Sequence, residues 1–390
     1  MQVKKERFEA LDILRGLTIV IMALDHCRHF FALGFVYLEP TNVNITNLEV
    51  FFTRWITHFA APTFIFLAGI GLYFASGRRT KSELAYLAIS RGLWLIFLEL
   101  TIVGYFWAFS PDFITHPKVG VLFAIGVSMI SVGFLIYLPK YIIGLIALSM
   151  IFGHNLLDSI TVDSFDNFGW IFQLLHAPGT IVFGDFELLV IYPFIPWIGV
   201  MAAGYLFGPV VKYQKQRRKK VFLSFGLGLI IFSLILRYTN LYGDPQIWTT
   251  YIPFDMTLIS FLNFTKYPAS LIYISFFIGI ALLLMFAFDR KLGKWVEPLR
   301  DFGQAPFFFY ILHIPLIHIM AIIFAYTMFG QADWLFGAPL GKNPEVLNYL
   351  SSELIPTYVS WITIVFLLYF PSKWFAKLKL RRKDWWLSYL

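Results

Sequence analysis

The stretch RGLTIVIMALDHCRHFF (residues 15–31) has the length and the apolar content of a helix that crosses a membrane. A bilayer core about 30 Å thick needs about 20 apolar residues in one helix. The stretch nevertheless begins with an arginine and ends among Asp25, His26, Arg28 and His29. Ionisable groups inside a spanning segment are costly, and they usually face the bundle interior and mark a pathway or a site. The stretch therefore indicates both the fold class and the place to look for function.

The rest of the chain repeats this apolar pattern. It has 390 residues, of which 58% are hydrophobic and 14% charged, whereas soluble domains run about 45–50% apolar and about 25% charged. No stretch is long and polar enough for a separate soluble domain. We therefore predict an all-α integral membrane protein with about ten transmembrane helices in one domain, residues 1–390. The candidate spans are residues 10–32, 51–76, 84–107, 119–137, 140–157, 186–208, 221–239, 267–288, 303–328 and 354–374.

The charged residues predict the orientation. With ten spans, the loops on the amino-terminal side hold most of the 31 Lys and Arg residues, and the opposite loops are poor in them. Short cytoplasmic loops carry such an excess, so we predict that both termini are cytoplasmic. The net charge of +8 follows from this placement, and nucleic-acid binding is not expected. The single cysteine, Cys27, excludes an intrachain disulfide framework and a cysteine-based zinc cluster, and no metal is expected.

One face of the first helix carries polar side chains at two different depths in the membrane. Arg15 and His26 are separated by a spacing that places them about 20° from each other around an α-helix and about 16 Å apart along it. Asp12 stands close enough to Arg15 to pair with it. His26 can accept a proton from an incoming nucleophile near neutral pH. Asp25 points about 100° away from His26, so it orients the imidazole only if the helix end unwinds, and Glu99 of another helix is an equal candidate.

The second helix adds two polar side chains. Arg54 and His58 lie on one helix face, at the depth that we predict for His26. Consecutive helices joined by a short loop are usually neighbours, so the sequence predicts that these three side chains converge near the outer surface. Contact with lipid headgroups is the alternative for Arg54. Cys27 adjoins His26 in sequence but points elsewhere on the helix, so a Cys–His nucleophile pair is not expected.

Two further helices carry ionisable groups. Arg91 and Glu99 of the third helix lie on roughly one face, and we expect a structural ion pair within the bundle. His313 and His318 of the ninth helix flank Pro315, a residue that kinks helices. Each of these two histidines either packs in the core or enters a cavity, and the sequence leaves both alternatives open.

Six stretches are similar to the catalytic-domain family of heparan-alpha-glucosaminide N-acetyltransferase, in its bacterial branch of membrane proteins. They are RFEALDILRGLTIVIMALDHCRHFF (7–31), FFTRWITHFAAPTFIFLAGIGLYFA (51–75), ISRGLWLIFLEL (89–100), YPFIPWIGVMAAGYLFG (192–208), FLNFTKYPASLIY (261–273) and FGQAPFFFYILHIPLIH (302–318). Because they are spread over nearly the whole chain, they are specific as a set. The spacing of Arg15 and His26 also resembles the arginine–histidine pattern of acyltransferase family 3, a related group of membrane acyltransferases.

The resemblance implies acyl transfer across a bacterial cytoplasmic membrane. Acetyl-CoA or a similar acyl donor would be held on the cytoplasmic side, and a sugar hydroxyl or amine, for example of a glycan, would be the acceptor on the outer side. Membrane lipid is the other expected partner, and the oligomeric state stays open, a homodimer included. His26 would act as a general base or as a transient acyl carrier, with His58 and Asp25 as the other catalytic candidates.

The resemblance also implies binding roles. Arg15, Arg78 and Arg79 would hold the phosphates of the donor, because guanidinium groups bind phosphate strongly. A second set of side chains would bind the substrate or stabilise the tetrahedral oxyanion. Its members are Arg54, His58, Lys266, His313 and Glu99.

One feature departs from the family. In the lysosomal branch, the histidine taken as catalytic lies in the lumenal loop after this first helix, whereas residues 33–50 contain no histidine. Either His26 or His58 then takes that role or the mechanism differs, and heparan sulfate is not expected as the acceptor. The alternative function is a transporter or a lipid-handling protein. We find no clear internal repeat, which counts against a transporter because many transporters are built from inverted repeats.

Overall fold

The computed structural model describes residues 8–32, 40–337, 354–382 and 384–389. Within these residues, eight helical stretches are long and apolar enough to cross a membrane. They are Leu48–Ser76, Lys81–Ala108, Lys140–Leu157, Phe194–Val211, Lys215–Thr239, Leu271–Phe288, Pro306–Phe329 and Leu354–Arg381. The predicted all-α membrane fold is confirmed, and the protein is a multi-pass integral membrane protein.

Local breaks divide several of these stretches into separate helices. In chain order the helices are α1 (Glu9–Phe31), α2 (Leu48–Thr57), α3 (Ala60–Ser76), α4 (Lys81–Leu98), α5 (Gly104–Ala108), α6 (Val121–Leu135), α7 (Lys140–Gly153), α8 (Gly169–Leu175), α9 (Phe194–Val211), α10 (Lys215–Thr239), α11 (Phe254–Leu262), α12 (Leu271–Phe288), α13 (Glu297–Gln304), α14 (Pro306–Phe329) and α15 (Leu354–Arg381). A π-helical turn, Glu99–Val103, connects α4 to α5. Such turns interrupt the regular ladder and are frequent at functional sites.

Two of the ten predicted spans differ from the eight in length or polarity. α1 has 23 residues but carries charged side chains near both ends, and α6 has 15 residues. Each still coincides with a predicted apolar run. The exact number of spans and the cytoplasmic placement of the termini stay predictions.

The sixth predicted span starts too early, because residues 186–190 form a strand. β1 (Lys118–Val119), β2 (Gly179–Phe183) and β3 (Phe186–Val190) form a small sheet in the order β1-β3-β2. β1 pairs in parallel with β3, and β2 pairs with β3 in an antiparallel manner. A short apolar run suits a buried strand as well as a helix, so hydropathy alone does not separate the two. Pro193 then stands at the amino-terminal cap of α9.

The eighth predicted span also starts too early. α12 begins at Leu271, four residues after the predicted start, and the hydroxyl of Ser270 accepts a hydrogen bond from the backbone N–H of Tyr273. A serine in this position satisfies one of the free donors at a helix start. Pro268 lacks a backbone N–H, which favours a turn before the helix. The predicted span thus includes part of the non-helical segment that precedes α12, and Lys266 and Tyr267 lie in this segment.

α1 lies at the centre of the bundle, in contact with α2, α3, α12, α13, α14 and α15. Gly16 allows α13 to approach closely, because a Cβ at this position would lie 1.7 Å from the carbonyl oxygen of Leu299. Gly303 approaches the carbonyl oxygen of Asp12 equally closely. Small residues at helix contacts permit such tight packing in membranes. The central position of α1 explains why its polar side chains reach the interior rather than lipid.

Candidate functional site at the centre of the bundle

Two cavities meet beside the carboxyl-terminal half of α1. The cavity that we call inner, after the predicted orientation, is about 330 Å³ and extends from this junction to Arg15 near the start of α1. The outer cavity, about 280 Å³, extends from the same junction to Lys118 in β1. Five residues line both cavities and define the junction: Asp25, His26, Val121, Tyr192 and Tyr310. The predicted Arg15–His26 face of α1 therefore lines the inner cavity, and His26 stands where the two cavities adjoin.

The inner cavity is apolar along its length and cationic at its mouth. Its walls are formed mainly by aliphatic and aromatic side chains, among them Met22, Phe64 and Leu67. Arg15 and Arg91 line its end away from the junction. Arg15 donates to Asp12 over 3.3 Å, as the spacing predicts. The cavity thus offers positive charge at one end and reactive groups at the other.

The outer cavity has a different character, because charged and aromatic side chains surround it. Beyond the junction residues it is lined by Arg28, His29, Arg54, Glu99, Trp107, His116, Lys118 and Tyr267. The ammonium of Lys118 lies 5.8 Å from the centre of the Trp107 ring, within the range of a cation–π contact. Such a lining can bind a polar molecule through hydrogen bonds and ring stacking.

Asp25 holds two arginines at the junction. Its carboxylate accepts hydrogen bonds from Arg54 at 2.5 Å and from Arg28 at 3.2 Å. Both arginines are largely buried, so the predicted alternative of a lipid-headgroup contact for Arg54 is wrong. Removing one partner of a buried ion pair strongly destabilises a protein, because the other charge stays buried without compensation. Asp25 points away from His26, as helical geometry predicts, and orients cations rather than the imidazole.

His26 is oriented by His313 of α14, a pairing that the sequence does not indicate. Nδ1 of His26 lies 2.6 Å from Nε2 of His313, and Nδ1 of His313 lies 2.5 Å from the carbonyl oxygen of Tyr310. A carbonyl only accepts, so Nδ1 of His313 is assigned the proton and its Nε2 accepts. Nδ1 of His26 is then the donor, and Nε2 of His26 carries the lone pair. In this tautomer His26 is ready to accept a proton.

Glu99 does not pair with Arg91, and the predicted ion pair is wrong. The Glu99 carboxylate accepts the backbone N–H of Leu122 at 2.9 Å, at the start of α6, where a negative charge is favoured. Gly120 makes room for it, since a Cβ there would lie 2.5 Å from a carboxylate oxygen. Nε of Arg91 is buried and has no hydrogen-bond partner among the described residues. The π-helical turn and this helix start decide the position of Glu99, and the spacing within α4 cannot show either.

His58 lines neither cavity, so its predicted convergence with His26 is wrong. Its ring packs against Tyr273 and Phe277. α2 ends at Thr57, and the backbone N–H of His58 bonds to the carbonyl of Trp55 three residues earlier. The imidazole thus faces the core on the side of α12, away from both cavities.

The remaining sequence candidates divide between surface and core. Arg78 and Arg79 are exposed after α3 and line a surface depression apart from the inner cavity, so their phosphate role stays a prediction. His313 enters the site through His26, whereas His318 packs between the carbonyl oxygens of Phe106 and Leu335 at 2.9 and 2.7 Å. The alternatives left open by the sequence are thus resolved differently for the two histidines.

The comparison with known families bears on this geometry. The family model of the heparan-alpha-glucosaminide N-acetyltransferase catalytic domain matches residues 7–239, more than half of the chain. The chain belongs to this family. No curated protein matches it. Family membership indicates a membrane acetyltransferase. The part of the chain matched to the N-acetyltransferase family contains α1 and Arg54 and ends before Lys266 and His313.

Several residues of this candidate site are not indicated by the sequence. Lys118, Trp107, Tyr192, Tyr267 and Tyr310 all line the cavities. Partial burial lowers the pKa of the Lys118 ammonium, and Glu99 partly offsets the effect. The one feature of the sequence that could have indicated Lys118 is its position next to an apolar span. The tyrosines and the tryptophan resemble the interfacial anchors common in membrane proteins, which hides them in the sequence.

Proposed function

We propose that the protein moves an acetyl or other acyl group from acetyl-CoA, held at the cytoplasmic face of a bacterial cytoplasmic membrane, to a sugar or glycan acceptor at the outer face. The observation that carries this proposal is the junction of the two cavities at His26. Donor and acceptor would enter from opposite ends of the bundle and meet at one imidazole. Transfer then needs no passage of either whole substrate across the membrane.

The inner cavity suits the acyl donor. Arg15 and Arg91 at its mouth offer guanidinium groups to the donor's phosphates. The apolar walls would surround the pantetheine arm, and the distance of about 16 Å along α1 from Arg15 to His26 would be covered by that arm. The thioester carbonyl would then lie at the junction.

His26 would act as the general base. The lone pair of its Nε2 takes the proton of the acceptor hydroxyl or amine while the acceptor attacks the thioester carbonyl carbon. His313 keeps the imidazole in this tautomer through the hydrogen bond at Nδ1. The tetrahedral intermediate collapses, the C–S bond breaks and the thiolate leaves. If His26 instead carries the acyl group, an acyl-enzyme accumulates when donor is supplied without acceptor.

The test uses purified protein in lipid nanodiscs with labelled acetyl-CoA and a panel of sugars. We expect label transfer, and we expect His26→Ala to reduce it by about 10²–10⁴-fold. His318→Ala is the matched control, because it removes a buried imidazole that lines neither cavity. Full activity in His26→Ala would refute the role of this residue. Absence of transfer together with sugar accumulation in vesicles lacking a donor would favour the transporter alternative.

A further inference from the structure

Lys266 and Tyr267 are neighbours in the segment between α11 and α12, yet they line different cavities. Lys266 lines the inner cavity, and Tyr267 lines the outer one. The pair therefore stands beside the junction, facing both the donor and the acceptor side. Asp25 and His26 occupy the same junction on α1. A group that stabilises charge on a thioester carbonyl has to lie in this position.

The segment is held rigidly by polar groups that line neither cavity. The Asp244 carboxylate accepts hydrogen bonds from the backbone N–H of Thr265 at 2.9 Å and from its hydroxyl at 2.5 Å. It also accepts the hydroxyl of Ser270 at 3.0 Å. Arg237 donates to the carbonyl oxygen of Asn263 at 3.0 Å. Catalytic donors act best when the surrounding structure fixes them in advance, and this segment meets that condition.

Two cations act on the Tyr267 phenol. The ammonium of Lys266 and the guanidinium of Arg54 both interact with its hydroxyl group, and the hydroxyl of Tyr192 lies 3.4 Å away. Desolvation by itself would raise the pKa of Tyr267, but the two cations outweigh it and lower the pKa to about 8. The phenol remains protonated near neutral pH and is a stronger hydrogen-bond donor than an ordinary tyrosine.

We propose that the Tyr267 hydroxyl and the Lys266 ammonium together bind the oxyanion of the tetrahedral intermediate; this inference rests on the proposed acyl transfer. The acceptor atom bonds to the carbonyl carbon, the C=O electron pair moves onto oxygen, and the acceptor's proton goes to Nε2 of His26. Tyr267 donates a hydrogen bond to that oxygen and keeps its proton. When the electron pair returns, the C–S bond breaks and the thiolate leaves.

The test compares Tyr267→Phe with Tyr273→Phe. The first removes only the proposed donor hydroxyl, and the second removes a buried hydroxyl that bonds to the His58 carbonyl at 2.8 Å and lines neither cavity. We expect kcat to fall about 10²–10³-fold in Tyr267→Phe, with the KM of the donor unchanged. Tyr273→Phe should keep the kcat of the unmodified protein.

The pH profile gives a second readout. We expect kcat of the unmodified protein to fall above about pH 8, because a phenolate has no proton to donate, and we expect this alkaline limb to vanish in Tyr267→Phe. Lys266→Met should move the limb to higher pH, because it removes one of the two cations that acidify the phenol. The ionisable groups that face Tyr267 are Lys266, Arg54, Asp25, Tyr192 and Tyr273.

Several outcomes would overturn the inference. If the unmodified protein transfers acyl groups and Tyr267→Phe does so at the same kcat, the proposed function stands and the role of Tyr267 is wrong. A change confined to KM, or an alkaline limb that persists in Tyr267→Phe, has the same meaning. If Tyr267→Phe does not fold, an unshifted limb in Lys266→Met overturns the inference. If the unmodified protein transfers no acyl group, both proposals fail together.

Discussion

The inner and outer cavities share one junction but differ in their linings. The inner cavity has apolar walls and arginines only near its far end, whereas the outer cavity is surrounded by charged and aromatic side chains. An apolar channel can hold a long, flexible arm without fixing it by many hydrogen bonds. A polar pocket can recognise a hydroxylated ligand through several directional contacts. The difference teaches that one bundle can offer two unlike binding environments on either side of a single histidine.

The largest effect is expected where the cavities meet. Asp25→Asn removes the charge that holds Arg28 and Arg54, so two buried guanidinium groups lose their ionic partner. We expect the free energy of unfolding to fall by about 3–5 kcal/mol, measured by denaturant or thermal unfolding in the same lipid, with loss of transfer activity toward every acceptor.

Asp289→Asn is the matched control for this variant. Asp289 forms an ion pair with Arg218 at 2.7 Å, and it lines neither of the two cavities. It should lower stability while leaving kcat unchanged. Equal loss of kcat in both variants would show that the junction has no special role.

The inner cavity can be filled from α3. Ala68 lines its wall, so Ala68→Phe should raise the KM of the acyl donor about tenfold or more, since each 1.4 kcal/mol of lost binding is a factor of ten. The KM of the acceptor should stay the same. Ala75→Phe on the same helix, away from the cavity, serves as the control. A rise in acceptor KM alone would reverse the assignment of the two sides.

The outer cavity can be altered at Lys118. Lys118→Met keeps an unbranched apolar side chain of similar size but removes the ammonium beside Trp107. We expect the KM of the acceptor to rise about tenfold, because one hydrogen bond to a charged group is worth about 1.5 kcal/mol at the lower end of its range, and we expect no change for the donor. Steady-state kinetics with each substrate varied in turn would measure this, and an effect on the donor alone would contradict it.

The smallest effect concerns pH and stability. Partial burial lowers the pKa of Lys118, and Glu99 only partly offsets this. Between the lowered pKa and the ordinary value near 10.5, the unfolded chain binds more protons than the folded one, so the free energy of unfolding should rise with pH in that window. Lys118→Met should show a flatter dependence. An equally steep rise in the variant would assign the effect to another group.

Much of the site could be read from local spacing. The position of Arg15 relative to His26, the pairing of Asp12 with Arg15 and the divergence of Asp25 from His26 all follow from the geometry of one helix. The same reasoning failed for His58 and for the Arg91–Glu99 pair. For Glu99, a π-helical turn interrupts the periodicity on which the prediction depends. For His58, the ring packs against Tyr273 and Phe277 of α12, a contact that the spacing within one helix does not show.

The sequence by itself determined the membrane fold, the family resemblance and the polar face of α1, because hydropathy and helical period act over about 20 residues. Only the tertiary structure decided that Arg54 binds Asp25, that His313 fixes the tautomer of His26 and that Tyr267 stands beside the junction. Each of these contacts joins residues that are remote in sequence or placed by an irregular segment. Their partners are set by how the helices pack, and no periodicity within one helix records that packing.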